Sequence, residues 1–261
     1  MINGGIDMGS KGKKILVIGI VLAVVLIVAV VLAVVLSNRE TPVEPGPGPD
    51  DPIVDNRTAS EKIVVNPYKI TNPSKNRDVR AQIPRIMNLD DKGFQEYINK
   101  KMLQTVTDYQ NEIEVMVDDE TPAETLYKYV VDYERYNNDV YLSLVVSNDY
   151  QTGGMRSNSW KDTYNVDVTA GANKEVFLKD LFQPEADFKA AILAEINRQA
   201  EAKGYELVGG NGLSSLPDTQ KFYVQDGALV VYFDPAAIAP YVYGELHFKM
   251  PFAYSNGRFV I

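Results

Sequence analysis

The run Ile15–Leu36, ILVIGIVLAVVLIVAVVLAVVL, carries no polar side chain and constrains everything that follows it. At about 1.5 Å of rise per residue, a helix of roughly 22 residues reaches about 33 Å, close to the hydrocarbon thickness of a bilayer. A cleaved signal peptide has a shorter apolar stretch of about 7–15 residues. The run therefore reads as a retained transmembrane signal anchor over 15–36. Lys11, Lys13 and Lys14 precede it, whereas Arg39 after it is offset at once by Glu40. The positive-inside rule makes 1–14 a short cytoplasmic tail and puts the rest outside the cell. The expectation is a single-pass protein of the cell membrane, N-terminus cytoplasmic and C-terminal domain extracellular.

Residues 37–60 include ETPVEPGPGPDDPIVDNRTAS, in which prolines alternate with glycines and acids and no apolar period appears. Such a segment favours extended conformations, and about 20 residues of it span up to roughly 60 Å. It reads as a stalk lifting a folded domain, 61–261, off the membrane. The chain holds 35 Asp and Glu against 26 Lys and Arg, and the part beyond Arg39 is the more acidic for losing the three N-terminal lysines. That balance excludes nucleic acid as a partner and attracts cationic proteins.

Alternating apolar residues place strands at Lys62–Ile70, Asp78–Ile86, Leu126–Tyr136, Val140–Tyr150, Trp160–Val168, Lys221–Val224, Ala228–Phe233, Glu245–Phe252 and Arg258–Ile261. Asn137-Asn138-Asp139, Asp226-Gly227 and Asn256-Gly257 supply hairpin turns, so the sheet is expected to be antiparallel. Apolar residues at spacings of three and four predict a helix over Asp90–Val117, capped by Asn88 or Asp90. A second is predicted over Pro184–Lys203, with Gly204 at its end. The fold class is therefore α+β: an antiparallel sheet with two amphipathic helices packed on it, preceded by one transmembrane helix.

The chemistry-bearing residues are few. With 0 Cys and 1 His, thiolate sites and zinc sites built on several imidazoles are excluded, and no other metal or cofactor motif appears. His247 alternates with Glu245 and Lys249 on a polar strand face, where exposure is expected. Phosphate-cradling glycine loops and a nucleophile elbow are absent. Asp118-Asp119-Glu120 and Asp50-Asp51 sit in turn-forming composition and read as solvated acids. Two loops have residue types that need a reason. Gly153-Gly154-Met155-Arg156 follows a strand, and its paired glycines permit close approach of another chain. In VVYFDPAAIAPYVYG, Asp234-Pro235 stops a strand, Ala236-Ala237 follow, and Pro240-Tyr241 restart the chain. Asp234 is expected to hydrogen-bond the following amides in a helical turn, making a rigid corner.

Several stretches together resemble a known family. They are AQIPRIMNL, FQEYINKKM, YERYNNDVYLSLVVSNDYQTGG, YNVDVTAGANKEVFLKDLF and KFYVQDGALVVYFDPAAIAPYVYGELHFKMPF, in order from Lys69 to Phe252. They are similar to the extracellular domain of the lysozyme-sensing RsiV anti-sigma factors, and to the related module beside peptidoglycan deacetylase domains in Gram-positive bacteria. The family's glycine loop continues with Ala-His where this chain has Met155-Arg156, and its corner reads Pro-Tyr-Glu where this chain has Pro235-Ala236-Ala237. The short cytoplasmic tail has no room for a sigma-binding domain.

The resemblance implies a membrane-anchored binding or sensor module of the cell envelope, not an enzyme. Its partner would be a cationic protein such as lysozyme, or peptidoglycan. The binding residues would be Gly153, Gly154, Met155, Arg156, Asp234, Pro235, Ala236, Ala237 and Tyr241. The alternative is a peptidoglycan-modifying enzyme, or an accessory domain of one.

Overall fold

The computed structural model describes residues 59–73, 76–115, 126–152, 157–171, 173–210 and 212–261. The tail, the anchor over 15–36, all but the end of the stalk, the Gly153–Arg156 loop and the acidic Asp118-Asp119-Glu120 lie outside the described residues.

The alternating runs become strands. After a short helix α1 (Ala59–Lys62) come β1 (Val64–Pro73), β2 (Arg77–Met87), helix α2 (Lys92–Val115), β3 (Tyr127–Asn137), β4 (Tyr141–Thr152) and β5 (Ser157–Asp167). A two-residue β6 (Lys174–Glu175), not foreseen from the pattern, and a 3₁₀ turn (Leu178–Leu181) lead into α3 (Phe188–Lys203). Then follow β7 (Phe222–Gln225), β8 (Ala228–Phe233), a 3₁₀ turn (Tyr241–Tyr243), β9 (Leu246–Lys249), β10 (Ala253–Ser255) and β11 (Arg258–Val260).

The strands form a six-stranded sheet in the order β1-β2-β3-β4-β5-β6, a three-stranded sheet β7-β8-β9 and a β10-β11 pair. Two features of the expected architecture need correction. The large sheet is mixed, because β2 and β3 run parallel from Arg77↔Tyr127 to Ala81↔Val131. Helix α2 lies between them in sequence, and a helical crossover returns the chain to the end of the sheet at which β2 began, beside Arg77. The two helices also serve different sheets. Ile98, Met102, Val106 and Ile113 of α2 pack with Ile83, Tyr129, Leu142 and Leu144 of the large sheet. Ile192, Ile196 and Ala200 of α3 pack with Phe222, Leu229, Val231 and Phe248 of the small one. An apolar stripe shows that a helix needs a partner but not which sheet supplies it.

Turn chemistry largely follows the sequence. Asp226-Gly227 and Asn256-Gly257 take φ of 51° and 72°, and of 50° and 76°, the paired positive values of a tight hairpin. The caps shift by a few residues. The Asp91 carboxylate accepts from Phe94 N at 2.9 Å, so neither Asn88 nor Asp90 caps α2. Asn88 instead adopts φ 69° and donates its amide to Lys62 O. Asp187 caps α3, which begins after Pro184 rather than at it, and Gly204 ends it at φ 68°.

The second face of the large sheet meets the small sheet along a mixed seam. Val145 of β4 clusters with Tyr223, Val230 and Tyr232, against which Tyr136 packs. Ser143 Oγ accepts from Val224 N at 2.9 Å and donates to Asn165 Oδ1, whose own amide donates to Phe222 O at 2.9 Å. Burying these groups is tolerated because each is hydrogen-bonded.

Candidate functional site

The corner after β8 is a β-turn. Ala237 N donates to Asp234 O at 3.1 Å, Pro235 holds the second position, and Ala236 takes φ 65° at the third. This is the type II pattern, not the helical turn expected from the sequence. The Asp234 carboxylate does not turn back on the following amides. It accepts from Lys161 N at 2.9 Å, Tyr232 OH at 2.7 Å and Lys221 Nζ at 2.6 Å. The reason is topological. Strand β6 covers only Val166 and Asp167 of β5, which leaves the Lys161 amide on a bare strand edge, and Asp234 covers it.

Beyond the turn, Ile238 and Ala239 are buried, so this part of the corner plugs the core. The outer residues are different. Ala236, Ala237 and Pro240 are exposed, Tyr241 is 59% exposed and Val242 85%. Tyr241 OH donates to Ser157 O at 3.3 Å, so the structure brings Tyr241 to the residue that follows Arg156. Gly153, Gly154, Met155 and Arg156 themselves lie outside the described residues. Of the other expected site residues, Ala236, Ala237 and Tyr241 face solvent, while Asp234 and Pro235 are half-buried and support them.

Beneath the corner runs a polar network that the sequence pattern did not reveal. Lys221 reaches past Asp234 to Asp162, 3.9 Å away, and Asp162 accepts from the Asn148 amide at 3.1 Å, which in turn is bonded by Tyr129 OH. On the other side of β5, Lys161 Nζ lies 2.7 Å from Glu245 and 4.0 Å from Glu134, and Glu134 accepts from Tyr136 OH. Tyr136 stacks on Tyr223 with centroids 5.1 Å apart. Burial pushes the Asp162 carboxyl up; Lys221 opposes this and Asp234 adds to it.

His247 sits inside this network, half-buried rather than exposed as its alternation suggested. Burial alternates along β9 as expected, but its polar face is covered by Tyr223 and Tyr232. Its Nδ1 is 3.1 Å from Tyr223 OH and its Nε2 3.4 Å from Glu245. A neutral ring with its proton on Nε2 satisfies both partners, since the tyrosine then donates and the carboxylate accepts. Burial holds the imidazole below its ordinary 6.5, and Glu245 pulls the other way. Each carboxylate of the network is matched by a lysine, a tyrosine hydroxyl or an imidazole, so the arrangement ties the sheets together and holds the corner in place. No group of three or more metal-ligating side chains occurs among the described residues.

Lys161, Asp162, Lys221 and Glu134 were not singled out from the sequence. Glu134 is on β3, Lys161 and Asp162 on β5 and Lys221 just before β7, with no shared spacing, and only Asp234-Pro235 carries a local signal.

Comparison with known proteins divides the chain along the same seam. A family model described as Deacetylase PdaC matches residues 70–159, which cover most of the large sheet and α2. One described as Protein of unknown function (DUF3298) matches 179–253, which cover α3 and the small sheet. No curated protein matches the chain. Among solved structures, a DUF3298-family protein from Bacteroides fragilis superposes with a TM-score of 0.55 at 13% identity, over 75% of this chain and 92% of that one. Another, from Pseudomonas aeruginosa, gives 0.50 at 15% identity, over 72% and 89%. At these identities the likeness is one of fold. The chain therefore carries a segment similar to PdaC followed by one similar to DUF3298, in the fold of the solved DUF3298-family proteins.

Proposed function

We propose that this chain is a membrane-anchored, extracytoplasmic and non-enzymatic binding module of the cell envelope, whose corner at Asp234–Tyr241, with the Gly153–Arg156 loop, takes a cationic protein such as lysozyme. The observation that carries the reading is the contrast within the corner. Asp234 is held by three donors, from β5, β8 and Lys221 just before β7, while Tyr241 and Val242, a few residues on, stand 59% and 85% exposed. A surface so held loses little conformational entropy on binding, and aromatic side chains in rigid settings are the usual anchors of protein interfaces. The formal charge of −9 steers a cationic partner toward it. The resemblance to the lysozyme-sensing module agrees with this, and the long apolar run with its Pro/Gly-rich successor supports the placement outside the membrane.

The test is titration of lysozyme into the full-length chain in detergent at low salt. Binding is expected, weakened at least about tenfold by combining Tyr241→Ala with Val242→Ser. The pair Ala236→Tyr and Ala237→Glu is expected to strengthen it. Absence of binding, or affinities unmoved by both double variants, overturns the proposal. Protease added to intact cells is expected to release the domain by cutting within 40–60; protection of that segment until lysis overturns the topology.

A further inference from the structure

Two cavities meet at Phe177, on the seam between the two matched segments, and the first of them shares Asp162 and Lys221 with the network beneath the corner. The first, about 310 Å³, lies among α2, β5, β6 and the stretch Asp218–Phe222. The second, about 280 Å³, lies between the Leu178–Leu181 turn, the start of α3 and Pro217–Thr219. Phe177 and Leu178 on one wall, and Asp218 and Thr219 on the other, line both. The cavities are thus two lobes of one groove with Phe177 at its middle. Small-molecule sites occupy roughly 300–1,000 Å³, so together the lobes have room for a ligand of more than one ring.

Phe177 is 48% exposed and is the only phenylalanine among the exposed large apolar side chains of the described residues. It does not sit on a loose loop. Its amide donates to the Asp180 carboxylate at 2.9 Å and its carbonyl accepts from Asp180 N at 2.9 Å. Leaving half of such a ring in water forgoes part of its burial energy, and the reciprocal bonds keep it there.

The walls around the ring carry four lysines and three acids, most of them paired. Lys101 pairs with Glu175 at 2.5 Å, Lys189 with Asp218 at 2.5 Å, and Lys221 faces Asp162 at 3.9 Å. Lys179, also on the wall of the second lobe, acts on the same Asp218. An anionic ligand would find only Lys179 sharing its acid, and a cationic one would have to break one of these pairs. A neutral polyhydroxylated ligand need not, because its hydroxyls donate to the carboxylates and accept from the ammonium groups. Thr163 and Thr219 add hydroxyls to the same walls. An exposed aromatic face between rims of alternating donors and acceptors complements a pyranose ring, which is apolar on its C–H face and hydroxylated at its edge.

We infer that this groove is a binding site for a neutral oligosaccharide of linked pyranose rings, seated across Phe177 with units in both lobes. Tyr241 lines neither lobe and Phe177 has no part in the corner, so the two sites can be separated by mutation at these residues.

The experiment is calorimetric titration of the full-length chain with chitotetraose, cellotetraose and maltotetraose, with polyglutamate as an anionic comparison. At least one neutral tetrasaccharide is expected to bind saturably. Phe177→Ala and, separately, Asp218→Ala are expected to weaken it at least about tenfold. Both side chains are solvent-exposed, so unchanged thermal melts are expected to show that the variants are folded. Tyr241→Ala is expected to leave saccharide binding intact, and Phe177→Ala to leave lysozyme binding intact. The inference is overturned if none of the three saccharides binds, if Phe177→Ala binds like the parent, or if polyglutamate alone saturates the site.

Discussion

Replacing Asp234 with alanine tests the account of the corner most directly. The substitution removes one acceptor from three donors at once. Tyr232 is fully buried, so its hydroxyl loses its partner where water does not reach, at a cost of about 1–3 kcal/mol. The Lys161 amide, on the bare edge of β5, loses a charge-assisted bond, and another kilocalorie per mole or so goes with it. Lys221 keeps Asp162 within 3.9 Å and is partly exposed, so the lost ion pair adds only about 0–1 kcal/mol. The sum is about 3 kcal/mol, or roughly 6–12 °C in melting temperature for a domain of this size. Urea denaturation and thermal circular dichroism on parent and variant measure it. Asp234→Asn, which can still accept from Lys161 N, is expected to lose less than half as much. A loss below about 1 kcal/mol for Asp234→Ala would show that the carboxylate does not hold the corner. If stability falls but lysozyme affinity does not, rigidity of the corner is irrelevant to binding.

Further outcomes follow from single features. Ala236 sits at φ 65°, so Ala236→Gly is expected to stabilise the domain by about 0.5–1 kcal/mol in urea denaturation. Gly212 sits at φ 81°, and a Cβ there would stand 2.8 Å from Asn197 Oδ1. Asn197 bonds both Leu213 N and Leu213 O, so Gly212→Ala is expected to cost about 2–3 kcal/mol by the same assay. His247 has a folded value below its ordinary 6.5, so as pH falls through 6.5 the unfolded chain takes up a proton that the folded one refuses. Its stabilising contribution is present above 6.5 and is lost below it. The raised carboxyl of Asp162 acts in the opposite sense, favouring the folded state as pH falls toward 3.8, so the comparison must be by difference. The stability of the parent relative to His247→Gln is expected to decline between pH 7 and 5; a constant difference refutes the depressed value.

Much of the local structure is legible in the chain because it depends on neighbours in sequence. The unbroken apolar run Ala228–Phe233, bounded by turn residues, marks β8, Asp226-Gly227 alone supplies two positive φ values, and the stripe through Ile98, Met102 and Val106 alone marks an amphipathic helix. The corner is also legible, since Asp234-Pro235 ends a strand whatever surrounds it. Placement is another matter. That β2 and β3 run parallel, that α2 and α3 serve separate sheets, and that β6 leaves the edge of β5 bare all depend on which strands meet. Asp234 could have bonded the amides after it. It bonds Lys161, Tyr232 and Lys221 because the edge of β5 lies beside it, a fact no window of sequence contains. His247 shows the same limit: its alternation put it on a polar face, and Tyr223 and Tyr232 then covered that face. The groove at Phe177 is furthest from view, since its walls come from α2, β5, a 3₁₀ turn and the Pro217–Lys221 loop. Periodicity and turn chemistry report backbone preferences within a few residues, whereas a site is a convergence of side chains that only the packed chain brings together.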